Sequence, residues 1–253
     1  MGRIVRAIGS IALKIWPFVL VVVAWQAWVS LGHVQQIVAP TPSEVARDIW
    51  SQPGLYVSNT ARTVVYSIIG LTLGLLVGAL IAVACWFSSV LRGLLTPGSI
   101  LLQSVPLVAV VPIMALVLGY EPKTVVGIAA LLTFFPTFVF VTSGLRATPN
   151  GSDDLFTVLG ASRWMTLRRL ALPSAVPNFM TALRICASIV IIAAIIGESV
   201  MGIDGLGRMF SQSFQLFDTP QAWGASLMIV VLSVVAYSVS GAIERRTRQR
   251  WSL

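Results

Sequence analysis

A chain of 253 residues that is 57% hydrophobic and only 10% charged lies far from the composition of an ordinary soluble domain, which argues against a soluble enzyme. Seventeen Lys+Arg against nine Asp+Glu leave a net charge of +8, a balance that points to nucleic acid in a soluble chain but to membrane-flanking loops in an apolar one. The two cysteines, Cys85 and Cys186, both sit inside apolar runs, so neither a disulfide framework nor a metal cluster is supported.

Uncharged intervals recur along the chain: 29 residues between Lys14 and Glu44, 29 between Arg62 and Arg92, 28 between Arg92 and Glu121, 22 between Lys123 and Arg146, and 25 between Asp218 and Glu244. Each exceeds the roughly 20 apolar residues that a bilayer-crossing helix needs. A sixth apolar stretch, Phe179 to Met201, is interrupted by Arg184, which lies near one end where a long side chain can snorkel. The spacing predicts spans over Ile15 to Leu31, Thr63 to Trp86, Pro97 to Leu118, Thr124 to Ser143, Phe179 to Met201 and Ala222 to Ile243. They must be helices, because hydrocarbon offers the backbone no partner and the runs lack the alternation of a barrel strand. The expectation is an all-α polytopic membrane protein with six transmembrane helices. It divides into a cytoplasmic tail over 1–14, a transmembrane domain over 15–243 with an inner loop at 144–178, and a basic tail over 244–253. A signal peptide competes for the first run, but no small-residue cleavage pattern closes it before His33.

With the N-terminus inside, thirteen basic residues fall on the cytoplasmic side, among them Arg92, Arg146, Arg163, Arg168, Arg169, Arg184 and the Arg245–Arg250 cluster. Only Arg47, Arg62, Lys123 and Arg208 remain outside, so the positive-inside rule places both termini in the cytoplasm and the basicity requires no nucleic acid. A phosphate-binding P-loop needs a Gly-Lys pair, yet the two lysines follow Leu13 and Pro122, so any ATP-driven work falls to a partner. His33 alone excludes a histidine metal cluster, and no nucleophile constellation is visible.

The inner loop carries the most specific signal. It runs Asp153-Asp154-Leu155-Phe156-Thr157-Val158-Leu159-Gly160-Ala161-Ser162-Arg163-Trp164 and continues to Leu172-Pro173. Two short helices are expected, the first capped by oxygens of Asn150, Ser152 and Asp153, a break at Gly160, and a second piece closed by Pro173 and Pro177. The first piece is more apolar than a solvated loop, which leaves two physical readings: a helix lying on the inner membrane surface, or one docking in a groove of a cytoplasmic partner.

Gly160 followed at fixed offsets by Leu170, Leu172 and Pro173, with Asp154 at the acidic position, resembles the EAA loop of ABC-importer permeases; Leu155 and Phe156 stand where that pattern has alanines. Pro40-Thr41-Pro42-Ser43-Glu44-Val45 and the spacing from Glu198 to Gly205-Leu206-Gly207 are similar to motifs of the nitrate, sulfonate and taurine importer permeases. The likeness covers roughly residues 16 to 243. It implies a type I ABC-importer permease fold in a bacterial inner membrane and a coupling helix built from Asp153 to Ala161, with Arg163, Leu172 and Pro173 behind it. It also implies a homodimer with a second permease copy, two ABC ATPase subunits that bind the ATP and Mg, a solute-binding protein, and no cofactor in this chain. The substrate class it suggests is a small anion or polar nutrient such as sulfonate, taurine or nitrate.

Gln103, Ser104 and Pro106 in the third span, Thr133 and Thr137 in the fourth, and Glu198 in the fifth are the translocation-path candidates, because polar groups at depth and proline kinks are costly without a role. Hydroxyls also serve as interhelical glue, and Glu198 has an equal reading as a cap for the loop entering Gly202 and Gly205. Arg184 reads as an anion attractor or, with more weight, as a snorkelling side chain. The competing functions are a self-contained secondary transporter or channel, against which stands the absence of buried acidic clusters, and a membrane scaffold or export-assembly protein.

Overall fold

The computed structural model describes residues 16, 20–32, 35, 38–103 and 105–251, which are helical with no strand among them. The expected tail over 1–14, His33, Ser104 and the side chain of Gln103 lie outside the described residues. In chain order the helices are α1 (Leu20–Leu31), α2 (Pro42–Ser51), α3 (Pro53–Phe87), α4 (Ser89–Gln103), α5 (Leu107–Leu118), α6 (Pro122–Gly144), α7 (Ser152–Val158), α8 (Arg163–Thr166), α9 (Leu172–Met201), α10 (Leu206–Gln215) and α11 (Thr219–Trp251). Four stretches are long and apolar enough to cross a bilayer: α3, α6, the continuous helical run Arg163–Met201, and Thr219–Gln249 within α11; α1 and α5 are shorter apolar helices.

Three expectations change. The span predicted over 97–118 is two helices, α4 and α5, with Pro106 in extended conformation at the head of α5 (φ −60°, ψ 125°). A proline there denies a continuing helix the N–H it needs and pushes the residue before it out of the α region. The stretch 244–253 continues α11 as helix as far as Trp251. Pro173 and Pro177 do not close the second loop helix: α8 passes through a π-helical turn, Leu167–Ala171, straight into α9. Leu172 N–H reaches back to the Leu167 carbonyl, and this wider turn accommodates a proline ring without ending the helix.

The core is a three-helix stack of α3, α6 and α9, with α11, α10 and α2 packed on its flank. On α3 the buried positions Thr63, Ser67, Gly70, Gly74, Gly78, Ala82 and Cys85 recur every three or four residues, a stripe of small side chains. It lies directly on α6. A methyl at Gly70 would sit 2.5 Å from Ala129 Cβ, one at Gly74 would overlap Thr133 Oγ1, and one at Gly78 would sit 2.8 Å from Thr137 Cβ. Lipid tails are as apolar as leucine, so helices in a bilayer gain more from this close backbone approach than from hydrophobic burial.

Local chemistry explains α2. Thr41 Oγ1 accepts from Glu44 N–H at 3.3 Å, the Glu44 carboxylate accepts from Thr41 N–H at 2.7 Å, and Pro42 occupies the first turn. The Pro40–Val45 motif is therefore a capping box followed by an amphipathic helix.

Candidate functional site: the loop 144–178 and the two ends of α9

Gly160 is what shapes the loop. Its φ of 68° is left-handed, Ala161 N–H donates to the Phe156 carbonyl at 2.9 Å, and Gly160 N–H donates to the Thr157 carbonyl at 3.0 Å. These two bonds form a Schellman motif, which ends α7 sharply and satisfies its last carbonyls. Nothing lies within 4 Å of where a Gly160 side chain would begin, so the requirement for glycine is conformational and not steric. Ser162 then accepts from Met165 N–H at 3.3 Å and opens α8. The capping expected from Asn150, Ser152 and Asp153 is not used: the residue before α7 is Gly151, with φ 76° and no side-chain cap, while Asp153 accepts from Thr148 Oγ1 at 3.0 Å.

No residue of α7 is buried. Leu155, Val158 and Leu159 are 55%, 84% and 72% exposed, and Asp153 and Asp154 are exposed beside them, whereas Phe156 and Ala161 are half-buried. A contiguous apolar patch of this kind marks a surface that something else covers. Behind it the chain is held firmly. Exposed Arg163 donates to the Phe87 carbonyl at 3.2 Å, and the Trp164 ring lies 6.4 Å from that of Phe87 at 14°, which ties α8 to the end of α3. Leu167, Ala171 and Ala175 are buried with Ala82, Cys85, Phe138, Val141 and Leu145, so the root of α9 is embedded between α3 and α6. Leu172 is partly exposed and Pro173 half-buried on the same run. Phe87 and Trp164 were not singled out from sequence; only the tertiary fold shows that the end of α3 receives α8.

At the opposite end of α9, Glu198 is fully buried. Its carboxylate accepts from Thr63 Oγ1 at 3.0 Å and from Gly207 N–H at 2.8 Å, and Thr63 Oγ1 accepts from Leu206 N–H at 2.9 Å. Gly205 lies against the carboxylate so closely that any side chain would collide with it. The Glu198 to Gly205-Leu206-Gly207 spacing is thus a brace that fastens α3, α9 and the head of α10. Asp204, immediately before Gly205, pairs with Arg62 and Arg208 at 2.5 Å each on the exposed side.

The other candidates for the path are distributed differently. Thr133 and Thr137 are fully buried in the α3–α6–α9 seam, where Thr133 Oγ1 donates to the Ala129 carbonyl at 2.9 Å and Thr137 Oγ1 to the Thr133 carbonyl at 2.7 Å. Pro106 is exposed at the head of α5. Arg184 is partly exposed and has specific partners: its guanidinium donates to Glu244 at 3.1 Å and to the Tyr237 hydroxyl, and Glu244 also accepts from Thr181 at 3.2 Å and Arg248 at 3.1 Å. Glu244 is therefore a second brace, joining α9 to α11. The lone acid before the Arg245–Arg250 cluster was its only sequence signal.

Comparison with known proteins places this arrangement. The sequence profile of the "binding-protein-dependent transport system inner membrane component" family matches residues 70–249. The formylaminopyrimidine transport permease protein ThiX of Halalkalibacterium halodurans is 28% identical, over 90% of this chain and 91% of that one. The riboflavin transport system permease protein RibX of Chloroflexus aurantiacus is 29% identical, over 96% and 94%. More distant relatives are named for aliphatic sulfonates and for taurine. A crystal structure of an amino acid ABC transporter with histidines superposes with a TM-score of 0.65 at 19% identity, covering 79% of this chain and 97% of that one.

Proposed function

The chain belongs to the family of binding-protein-dependent transport system inner membrane components, and from that premise we propose that it forms the translocation path of an ABC importer and couples to separate ATPase subunits through α7. The observation that carries the coupling is the exposed Leu155–Val158–Leu159 patch, presented by the Gly160 Schellman turn on a root buried between α3 and α6. A helix that receives force must be soft toward its partner and stiff toward its own chain; α7 has an apolar face open to a groove, and α8 delivers displacement to both α9 and the end of α3. Closure of two ATP-bound subunits would draw two such helices together and re-aim the space between two permease copies, an alternating-access step.

The assembly proposed is a homodimer of this chain, two ABC ATPase subunits that hold ATP and Mg, and a solute-binding protein on the outer face, all set in a bacterial inner membrane. The distribution of Lys and Arg supports cytoplasmic termini. The cargo class proposed is a small anion or polar nutrient of the sulfonate, taurine or nitrate kind. Relatives named for a formylaminopyrimidine, riboflavin, sulfonates and taurine support the broader class of small polar nutrients.

The test is a purified complex carrying Asp154→Arg or Gly160→Pro. The expected outcome is loss of bound ATPase and of substrate-stimulated hydrolysis with the permease still folded; unchanged stoichiometry and hydrolysis would overturn the coupling role.

A further inference from the structure

At the loop end of α6, helices α3, α4 and α6 converge around two adjoining cavities. The larger, about 520 Å³, is walled by Phe138 and Val139 and opens toward Ser143 and Arg146. The smaller lies between Arg92 on α4, Arg146 and the end of α3. Thr142 lines both. Its Oγ1 is buried without a hydrogen-bond partner among the described residues. This sets it apart on its own helix, because Thr133 and Thr137 each donate to a carbonyl four residues back. Neither Arg92 nor Arg146 has a carboxylate within ion-pair distance among the described residues. Four other arginines do have a carboxylate: Arg184 and Arg248 share Glu244, and Arg62 and Arg208 share Asp204.

We propose that the larger cavity binds an oxyanion, a phosphate or sulfonate group carried on an apolar body, held by Arg146 and the Thr142 hydroxyl, with Arg92 reaching in from the adjoining gap of about 10 Å³ that Thr142 and Arg146 also line, and with the body against Phe138 and Val139. Two unpaired guanidiniums supply charge-assisted donors to tetrahedral oxygens. An orphaned buried hydroxyl supplies a third donor that otherwise costs free energy. The apolar wall excludes water on one side and strengthens those bonds, and the volume falls within the range of small-molecule sites. The same chemistry has two sources, a phospholipid headgroup whose acyl chain runs along Val139, or a soluble organic anion. The inference is independent of the coupling role of α7, because binding is read without the ATPase.

The experiment uses the purified full chain in neutral detergent, titrated separately with hexanesulfonate, dioleoyl-phosphatidylglycerol and dioleoyl-phosphatidylcholine, and followed by thermal unfolding and native mass spectrometry. Saturable binding of phosphatidylglycerol but not phosphatidylcholine assigns the lipid source; saturable binding of hexanesulfonate assigns the soluble one. Either is expected to weaken at least tenfold in Arg92→Gln/Arg146→Gln and severalfold in Thr142→Val, and to persist in Arg245→Gln/Arg246→Gln, which removes the same charge elsewhere. Should the double variant fold poorly, Thr142→Val and the single Arg146→Gln carry the comparison. Absence of saturable binding by both anions, or equal weakening in the Arg245/Arg246 control, overturns the site.

Discussion

The two ends of the run Arg163–Met201 are built on opposite principles. At the Glu198 end a carboxyl group is fully buried and its partners are a hydroxyl and a backbone N–H from two other helices. At the α7 end apolar side chains stand exposed and the polar groups are spent on shaping the turn. A buried carboxylate held by directional bonds resists displacement, because moving it strands every donor it satisfied. An exposed apolar patch has no such attachment and is free to bind and release. The difference teaches which end of the run is open to a partner and which is fastened within the chain: the root is buried between α3 and α6 and presents α7 outward, while the far end is tied to α3 and α10.

Four measurements bear on that contrast, and the largest effect is expected at the buried end. Glu198→Ala strands the Gly207 N–H and the Thr63 hydroxyl and opens a void under Gly205. It should cost about 2–3 kcal/mol, read by thermal or denaturant unfolding in detergent. Glu198→Gln keeps an acceptor for both donors and should lose about 1 kcal/mol or less; a loss as large as that of Ala would show that charge, and not the hydrogen bonds, holds the corner.

Gly160→Ala should follow, at about 1 kcal/mol, because the left-handed conformation disfavours any Cβ even where space is open. Its loss should appear as weakened ATPase capture with little change in the unfolding midpoint. Trp164→Ala removes the ring packed on Phe87, worth about 0.5–1.5 kcal/mol. The partner should still bind while stimulated hydrolysis falls, since α8 no longer grips α3; full retention of stimulation would assign transmission to α9 alone. The smallest stability change is expected for Leu155→Ser/Leu159→Ser, within about 0.5 kcal/mol, because both side chains are exposed. The same variant should abolish ATPase co-purification, and a stable complex would sink the docking reading of α7.

Much of the fold was legible in the sequence for one reason: a bilayer-crossing helix declares itself by the distance between charges, so all the expected spans except 97–118 fall on described helices, the first on the part of it that α1 covers. The exception failed because a charge count cannot see the Pro106 break. Pro173 misled in the other direction, since proline ends a helix in water more readily than in a buried seam where a π-turn absorbs it. The Gly70, Gly74 and Gly78 stripe was readable at four-residue spacing as a close-packing face, but that it receives Thr133 and Thr137 of α6 is visible only in the fold. The pairing of Arg184 with Glu244 was not legible because Glu244 is 60 positions away along the chain. Phe87 and Thr63 offered no local signal at all.

Composition and charge spacing alone determined that this protein is a helical membrane chain, and the offsets around Gly160 picked out the loop that presents an exposed apolar face, because these depend only on neighbours along the chain. Which carboxylate is braced, which threonine is left unpaired, and which helix end receives the loop were decided by tertiary structure. Each is a meeting of groups far apart in sequence, set by how closely α3, α6 and α9 approach.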